Sequence, residues 1–218
     1  MAFTVSVFAR TRPYLYHLTA AANHSLIERR RRLESASVLR RMAGQDPSRH
    51  PLRTNIDRLN VGDLVAYLRD QRPLWKGRSA MVLTDGWTID DLRLYLDNRV
   101  FFWPGRELQG PVDSGWGHYE TYRQERPLIL RVRTESMVAA NPSTMPEFSK
   151  YNSGAPRDNE LTGKSPRGPG TFLPGPACTF RPSEAVECTF VGGVRLPADV
   201  EVGSSPSGPW RPFFGRDD

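Results

Sequence analysis

The stretch YLYHLTAAANHSLI, residues 14–27, changes from a β-type run to a possible helix start. β-forming residues lead up to His17 and Thr19, and Asn23 stands where a helix can begin. The simplest interpretation is structural, because asparagine caps a helix N-terminus by accepting a bond from a first-turn amide. The alternative is that His17, Thr19 and Asn23 converge at a strand end to hold a polar ligand. The two interpretations predict different partners for the same side chains.

Length and composition are typical of one folded domain. Of the 218 residues, 38% are hydrophobic and 25% are charged, which suits a soluble protein better than a disordered one. The 30 lysines and arginines outnumber the 24 aspartates and glutamates, and the net charge is +6. Such a surface attracts the phosphates of nucleic acid or of a cofactor, although an ordinary solvated surface, as at Arg29–Arg32, explains the excess equally well.

Cysteine content and the length of apolar runs indicate in which cellular compartment the protein is expected. The sequence has two cysteines, Cys178 and Cys188, with no C-x-x-C pair and no Cys/His cluster at zinc spacing. We therefore expect neither a disulfide framework nor a metal site. The N-terminal apolar stretch is too short for a signal peptide, and no run approaches the roughly 18 residues of a membrane span. These patterns predict a cytoplasmic protein with no membrane partner.

Helical periodicity dominates the first half of the chain. The segment 25–42 predicts a helix, a break near Leu33 and a second helix capped by Ser35. The segment VGDLVAYLRDQ, 61–71, has apolar residues at helical spacing. The segment TIDDLRLYLDN, 88–98, begins with capping-box spacing and predicts another helix.

Strand patterns dominate the second half. The run RVFFWPG, 99–105, is of β type and is expected to stop at its proline and glycine. Apolar residues alternate in RPLILRVRT, 126–134, and in EAVECTFVGGV, 184–194. Helices that precede strands with irregular connections predict an α+β domain with a mostly antiparallel sheet.

The longest stretch without periodicity covers residues 139–182, which are rich in proline, glycine, serine and asparagine. A loop of this length inside a domain is usually functional or disordered. Its aromatic residues and the turn YNSGAPR, 151–157, favour a loop that packs beside a binding cleft over a floppy linker.

The domain boundaries follow from these patterns. Residues 1–203 are predicted to form a single domain that includes the long irregular loop region 139–182. Residues 204–218 are predicted to be a weakly ordered tail. Its aromatic residues, Trp210, Phe213 and Phe214, are candidates for docking back on the body.

Signature motifs of several large enzyme classes are missing from the sequence. It contains no Ser-His-Asp order, no phosphate loop of the G-x-x-x-x-G-K type and no G-x-G-x-x-G. These absences disfavour hydrolases, P-loop enzymes and Rossmann proteins.

The remaining motifs, in their order along the chain, resemble the ADP-ribosyltransferase superfamily, in particular its DarT-like branch and related uncharacterised bacterial domains. YLYHLTAAAN, 14–23, is similar to a strand that ends in a His-x-Thr-like motif and precedes an asparagine at a helix start. NRVFFWP, 98–104, is similar to the family's central aromatic strand. EAVECTFVGGVRLP, 184–197, is similar to the late strand with the catalytic glutamate. The resemblance spans residues 12–200.

This resemblance implies an ADP-ribosyltransferase-like split antiparallel sheet with flanking helices, and NAD as a substrate. The residues that it assigns to NAD binding are His17, Leu18, Thr19 and Asn23, with Phe101, Phe102 and Trp103 as an apolar wall for nicotinamide. It assigns Glu187 as the catalytic carboxylate. Arg99 would meet the pyrophosphate or the substrate, or else would satisfy the last carbonyls of the preceding helix.

The chemistry expected of Glu187 is electrostatic. Loss of nicotinamide leaves an oxocarbenium-like ribosyl cation, and a carboxylate bonded to that ribose stabilises the charge where it develops. Because Val186, Cys188 and Phe190 need a core, the Glu187 side chain is expected to point to solvent or into a cleft. Glu184 would face the other side of an ideal strand, so it cannot supply the second glutamate of enzymes that modify arginine.

The acceptor is therefore expected to be a nucleobase of DNA or RNA, which also fits the arginine excess. Such a base would stack on an aromatic side chain. The candidate acceptor-binding residues are Tyr119, Tyr122, Tyr151, Asn152 and Ser153. Toxins of the DarT-like type also imply an antitoxin partner. Two alternatives stay open: an NAD glycohydrolase, in which water is the acceptor, and a catalytically inactive nucleic-acid-binding module on the same fold.

Overall fold

Capping side chains determine where several helices begin. The structure is a computed structural model that describes residues 3–159 and 163–215. Thr4 and Ser35 each accept a bond from the backbone N–H three residues later, and Thr88 forms a capping box with Asp91. The helices are α1 (Val5–Thr11), α2 (His24–Arg30), α3 (Ala36–Met42), α4 (Arg72–Lys76), α5 (Ile89–Asp97), α6 (Asp113–Tyr122) and α7 (Thr134–Ala140).

The strands are short and are distributed along the whole chain. They are β1 (Tyr14–Thr19), β2 (Arg32–Glu34), β3 (Asp57–Val61), β4 (Leu64–Leu68), β5 (Met81–Leu83), β6 (Arg99–Arg106), β7 (Gly110–Pro111), β8 (Leu128–Arg133), β9 (Glu147–Ser149), β10 (Asp158–Asn159), β11 (Gly163–Arg167), β12 (Leu173–Pro174), β13 (Glu187–Val191), β14 (Gly193–Arg195), β15 (Glu201–Gly203) and β16 (Arg211–Pro212).

The main sheet is antiparallel and has the strand order β12-β9-β13-β6-β1-β8-β15-β16, with β7 added to the end of β6. Smaller pairs are β2 with β14 and β3 with β4, and β11 joins β10 to β5. The predicted α+β class, with antiparallel sheets in a single compact domain, is confirmed.

The main sheet forks between β1 and β6. These strands pair from Tyr14 opposite Gly105 only as far as Tyr16 opposite Trp103. Beyond that point β1 continues with β8 alone, as far as Thr19. Residues Arg99–Phe102 of β6 pair instead with β13. The sheet therefore has two arms, the histidine arm (β1 and β8) and the glutamate arm (β6, β13 and β9), with a space between them.

Apolar residues cover both faces of the sheet. Leu15, Phe102 and Phe190 belong to the larger buried cluster, against which α1 and α7 pack through Phe8 and Met137. The other face of β1 and β6 forms a second cluster with α6, made of Tyr14, Tyr16, Leu18, Trp103, Tyr122 and Ile129. Alternation along the strands produces this division, because successive side chains of a strand point to opposite faces.

The segment 61–71, predicted to be helical, is instead the second half of the β3–β4 hairpin. Gly62, with φ of 62°, and Asp63 form its two-residue turn. A Gly-Asp pair between apolar runs is a hairpin signal, and the required positive φ suits glycine. The apolar spacing alone did not distinguish a helix from this strand pair. The predicted break near Leu33 is likewise a strand, β2, which pairs with β14.

Pro104 does not stop β6, which continues to Arg106. The Pro104 carbonyl accepts a bond from the N–H of Val112, on the side away from β1. The N–H that proline lacks would lie on that same side, so pairing with Leu15 of β1 loses no hydrogen bond. The prediction that the strand ends at Pro104 was wrong.

The region predicted to be irregular, 139–182, contains the short strands β9 to β12, and residues 160–162 lie outside the described residues. In the tail, β16 pairs with β15, and Phe213 and Phe214 are buried in the main core. Residues 216–218 lie outside the described residues. None of the described helices combines the length and apolarity that a membrane crossing needs.

Candidate functional site

A cleft with a volume of about 270 Å³ lies between the two arms of the sheet. Residues of both arms line it, together with β4, α6 and the turn after β9. Of the residues predicted for the site, it brings together His17, Leu18, Thr19, Asn23, Arg99, Phe101, Trp103, Tyr122, Asn152 and Glu187. Residues far apart in the sequence therefore meet in one concave site.

Glu187 begins β13 and points into this cleft, with only 2% of its surface exposed. Its carboxylate accepts a bond of 3.1 Å from the backbone N–H of Ser153. Burial raises the pKa of Glu187 to about 7, although the bond from Ser153 and the charge of Arg167 act in the opposite direction. Near neutral pH this carboxyl therefore exchanges between its protonated and ionised forms.

His17 faces the cleft from the other arm. Its Nδ1 lies 2.8 Å from the carbonyl oxygen of Phe101. A carbonyl can only accept, so Nδ1 carries the hydrogen and Nε2 is the free acceptor. The pKa of His17 is lowered to about 4, mainly by burial and also by the charge of Arg69, against the opposing effect of the bond to Phe101. His17 is thus neutral. Its Nδ1–H donates to β6 and so joins the two arms, and its Nε2 can accept a hydrogen bond from a ligand.

Asn23 neither caps α2 nor presents a free amide to the cleft. Its side chain makes no capping bond. Its Nδ2 donates to the Thr19 hydroxyl at 2.9 Å and to the Tyr67 carbonyl at 2.9 Å, and its Oδ1 accepts from the Tyr67 N–H at 2.8 Å. The capping interpretation was wrong. Asn23 lines the site, but these hydrogen bonds connect β1, through Thr19, to β4, through Tyr67.

The aromatic wall consists of Phe101 and Trp103, whereas Phe102 is fully buried on the opposite side of β6. The Phe102 ring contacts His17 and Phe190, with centroid distances of 5.5 and 5.8 Å. Its assignment to the nicotinamide wall was wrong, because alternate residues of a strand face opposite sides.

Arg99 is held by protein groups on every side. Its Nε and Nη2 donate to Glu147 at 3.0 and 2.7 Å, and its Nη1 donates to the Tyr95 carbonyl at 2.8 Å. Its guanidinium also stacks 3.6 Å from the Tyr95 ring centroid. The alternative, that Arg99 satisfies a late carbonyl of the preceding helix, is confirmed. Because Arg99 also lines the cleft, its contact with the substrate stays a prediction.

The predicted acceptor-binding tyrosines do not present free rings to the cleft. Tyr119 packs beside Trp116 and is not among the lining residues. Tyr122 is buried, and its hydroxyl donates to Asp70 at 3.1 Å. Tyr151 lies 5.0 Å from the Arg167 guanidinium. Tyr122 is therefore too enclosed to stack on a base, and Tyr119 lies outside the cleft.

The turn YNSGAPR lies at the rim of the cleft. Asn152, Gly154 and Ala155 line the space, whereas Ser153 is fully buried. The Asn152 side chain closes the turn by accepting from the Ala155 N–H at 3.1 Å. Ser153 thus reaches Glu187 through its backbone N–H.

His118 of α6 also lines the cleft, and sequence reasoning missed it. Its ring lies 4.6 Å from Trp103 and 4.8 Å from Tyr122, between centroids. Burial lowers its pKa to about 3, with further contributions from Arg69 and His17. A single histidine in GWGHYETY carries no motif that could have identified it. The cleft therefore contains two neutral imidazoles.

An ion-pair network at the end of α5 also lines the cleft, and it too had no sequence signal. Arg53 forms a bidentate ion pair with Asp97, at 2.8 and 2.9 Å, and Gln71 donates to the same carboxylate at 3.0 Å.

Within the part of the chain that the structure describes, no group of three or more His, Cys, Asp or Glu side chains could hold a metal ion.

Comparison with known proteins places the chain in a family. Residues 13–195 match the model of DUF7002, described as a family of unknown function, and the chain belongs to that family. The match covers both arms of the sheet, from β1 to β14, and hence His17 and Glu187. No curated protein and no solved structure matches the chain.

Proposed function

We propose that this member of the DUF7002 family is an NAD-dependent ADP-ribosyltransferase that modifies a nucleobase. The observation that carries the proposal is the meeting of Glu187 and His17 in one cleft at the fork of the sheet. The three elements that resemble the superfamily, β1, β6 and β13, are neighbouring strands. Their adjacency supports an ADP-ribosyltransferase-like fold for this α+β domain.

The cleft suits the nicotinamide end of NAD. Its volume of about 270 Å³ lies just below the roughly 300 to 1,000 Å³ of small-molecule sites, so the adenosine end must lie towards the open mouth. Phe101 and Trp103 supply an apolar wall for the nicotinamide ring. The Nε2 atom of His17 accepts a hydrogen bond from a ribose hydroxyl.

Glu187 would act on the charge that develops when nicotinamide leaves. A carboxylate fixed in a buried site interacts more strongly with a cationic ribose than one in water, and its orientation needs no rearrangement. Only the ionised form does this. Because the pKa of Glu187 is raised to about 7, kcat/KM for nicotinamide release should fall as the pH decreases below about 7.

A groove lined by arginines supports nucleic acid as the acceptor. Arg29–Arg32, from the end of α2 to the start of β2, and Arg195, on β14, line it together with Ala139, Ala140, Pro142, Leu196, Pro197 and Ala198. Glu34 and Asp63 neutralise part of this charge. Arg30 and Arg32 also line the cleft, so a phosphate chain in the groove can bring a base to the cleft mouth.

Nicotinamide release and label transfer from NAD test the proposal. We would measure both for the wild type and for Glu187→Gln, with and without single-stranded DNA or RNA. Glu187→Gln should lower turnover about a hundredfold or more and should change NAD affinity little, because the charge acts mainly in the transition state. Glu184→Gln is the matched control, because Glu184 is exposed and bonds Arg181.

Each outcome selects one function. Label transfer to the oligonucleotide supports the proposed transferase. Nicotinamide release without transfer under any condition identifies an NAD glycohydrolase. Oligonucleotide binding without NAD turnover identifies an inactive binding module, and equal rates for wild type and Glu187→Gln contradict the role of this residue.

A further inference from the structure

Arg167, the last residue of β11, is a buried cation with no carboxylate close enough to form an ion pair in the described residues. Only 1% of its surface is exposed. Its Nη1 donates to the Pro166 carbonyl at 2.9 Å and its Nη2 to the Asn152 carbonyl at 2.8 Å, and its Nε has no partner. Burying a cation without an ion-pair partner is costly to folding, and perturbed charges of this kind are concentrated at functional sites.

The bond to Asn152 connects Arg167 to Glu187 through one peptide unit. The Asn152 carbonyl accepts from Arg167, and the N–H of Ser153, in the same peptide plane, donates to Glu187 at 3.1 Å. A trans peptide directs its oxygen and its hydrogen in opposite directions. Fixing the oxygen therefore aims the N–H, and polarising the peptide strengthens the second bond.

Other charged groups near Glu187 are neutralised, neutral or exposed. On β6 and β9, Arg99 and Glu147 pair with each other. His17 on β1 is neutral at ordinary pH, and Lys150, in the turn after β9, is exposed. Lys164, on the same strand as Arg167, is exposed as well. Arg167 is thus the buried cation that acts on the carboxylate, as the direction of its effect on the pKa of Glu187 indicates.

We propose that Arg167 is a positioning residue that aims the Asn152–Ser153 peptide at Glu187 and favours the ionised form of that carboxylate. The structural part of this proposal stands without any reaction. Its kinetic consequence rests on the proposed function, in which ionised Glu187 drives nicotinamide release. Arg167 itself does not touch the ribose.

The test is a direct titration of Glu187 in the full chain. Carbon-13 labelling of glutamate carboxyls gives one resonance per residue, and the Glu187→Gln spectrum identifies the signal of Glu187. In Arg167→Gln the pKa of Glu187 should rise by about one pH unit, since an opposite charge and its bond are lost. Arg167→Lys keeps the charge and should restore most of the wild-type value. Arg41→Gln, at an exposed arginine of α3, is the control and should leave the titration unchanged.

Kinetics provide the second readout. The acid limb of kcat/KM for nicotinamide release should move upward by the same amount in Arg167→Gln and return in Arg167→Lys. An unchanged Glu187 titration in folded Arg167→Gln overturns the proposal. If that variant does not fold, an Arg167→Lys titration equal to that of the wild type supports the role of charge, and one raised by a full pH unit contradicts it. A wild type that releases no nicotinamide contradicts the proposed function alone, because the titration needs no NAD.

Discussion

The two arms of the forked sheet bring their polar groups to the cleft in different ways. In the histidine arm, His17, Thr19 and Asn23 come from one short segment, and His17 and Asn23 bond backbone groups of β6 and β4. In the glutamate arm, the partners of Glu187 come from other parts of the chain. Ser153 is 34 residues away, and Arg167 acts through the turn that contains Ser153.

The backbone partners of His17 and Asn23 remain after most side-chain substitutions, whereas the support of Glu187 includes the Arg167 side chain, so we expect distant substitutions to affect the glutamate arm more. The polar side chains of the histidine arm come from one segment, and they bond backbone groups of regular strands, Phe101 of β6 and Tyr67 of β4, which lie 84 and 44 residues away. The glutamate arm depends on the packing of an irregular segment, so its chemistry is sensitive to changes far from Glu187. Substitutions at Phe102, Glu187, Asn23 and His17 test this contrast.

Phe102 stands at the junction of the arms, and its loss should have the largest effect. It is fully buried, faces Cys188 across the β6–β13 pair and contacts the His17 ring. Phe102→Ala should lower the free energy of unfolding by about 3 to 5 kcal/mol, measured by urea denaturation. Phe101→Ala is the matched control on the same strand and should cost less than half as much, because Phe101 is only partly buried. Equal losses of unfolding free energy in the two variants would contradict the conclusion that Phe101 and Phe102 lie on opposite faces of β6.

Glu187 should make the stability of the glutamate arm depend on pH. Its pKa is raised from 4.5 to about 7 on folding, so its contribution is fully present below pH 4.5 and is lost as the pH rises through about 7. From pH 5 to pH 9, Glu187→Gln should therefore gain stability relative to the wild type, on the order of 3 kcal/mol. Denaturation at the two pH values measures the gain. Glu184→Gln should show no such gain, and a pH-independent difference for Glu187→Gln would place the carboxyl in water.

Asn23 should matter to folding more than to ligand binding. Asn23→Leu leaves the Thr19 hydroxyl and the Tyr67 backbone groups without their partners, and should cost about 2 kcal/mol of stability. Asn55→Leu, at an exposed position, is the control. An Asn23→Leu protein of normal stability that no longer binds NAD would show instead that Asn23 is mainly a ligand contact.

The smallest effect is expected at His17. His17→Ala removes the Nε2 acceptor, and the loss of one hydrogen bond to a polar ligand costs about 0.5 to 1.5 kcal/mol. NAD affinity, measured by calorimetry, should therefore fall about threefold to tenfold. His50→Ala, outside the cleft-lining residues, is the control. An unchanged NAD affinity would show that His17 has a structural role, in joining the two arms, and does not contact NAD.

The sequence predicted those elements whose signals are local. The capping box of Thr88 and Asp91 marked the start of α5, and Ser35 marked that of α3. Alternation identified β8 and β13, and it required the Glu187 side chain to point away from Cys188 and Phe190. Such signals depend on a few neighbouring residues, so they can be recognised without knowledge of the rest of the chain.

Other predictions failed where two structures share the same local pattern. The apolar spacing at 61–71 fits both a helix and a hairpin, and pairing with β3 decided between them. Asn23 was a good helix cap by type, but the carbonyl and N–H of Tyr67, 44 residues away, took its amide. Phe101 and Phe102 are the same residue type, and only the packed structure shows that Phe102 is buried in the core while Phe101 lines the cleft.

The sequence by itself determined the α+β class and the antiparallel character of the sheet, because periodicity and residue type carry that information. The candidates His17 and Glu187 came from the resemblance of the motifs, in their order along the chain, to a known family. Tertiary structure alone decided that β1 and β6 separate after Tyr16, that His118 joins the cleft and that Arg167 reaches Glu187 through the Asn152–Ser153 peptide. The physical reason is range. Hydrogen bonds and burial that join segments distant from each other in the sequence arise only when the whole chain has packed.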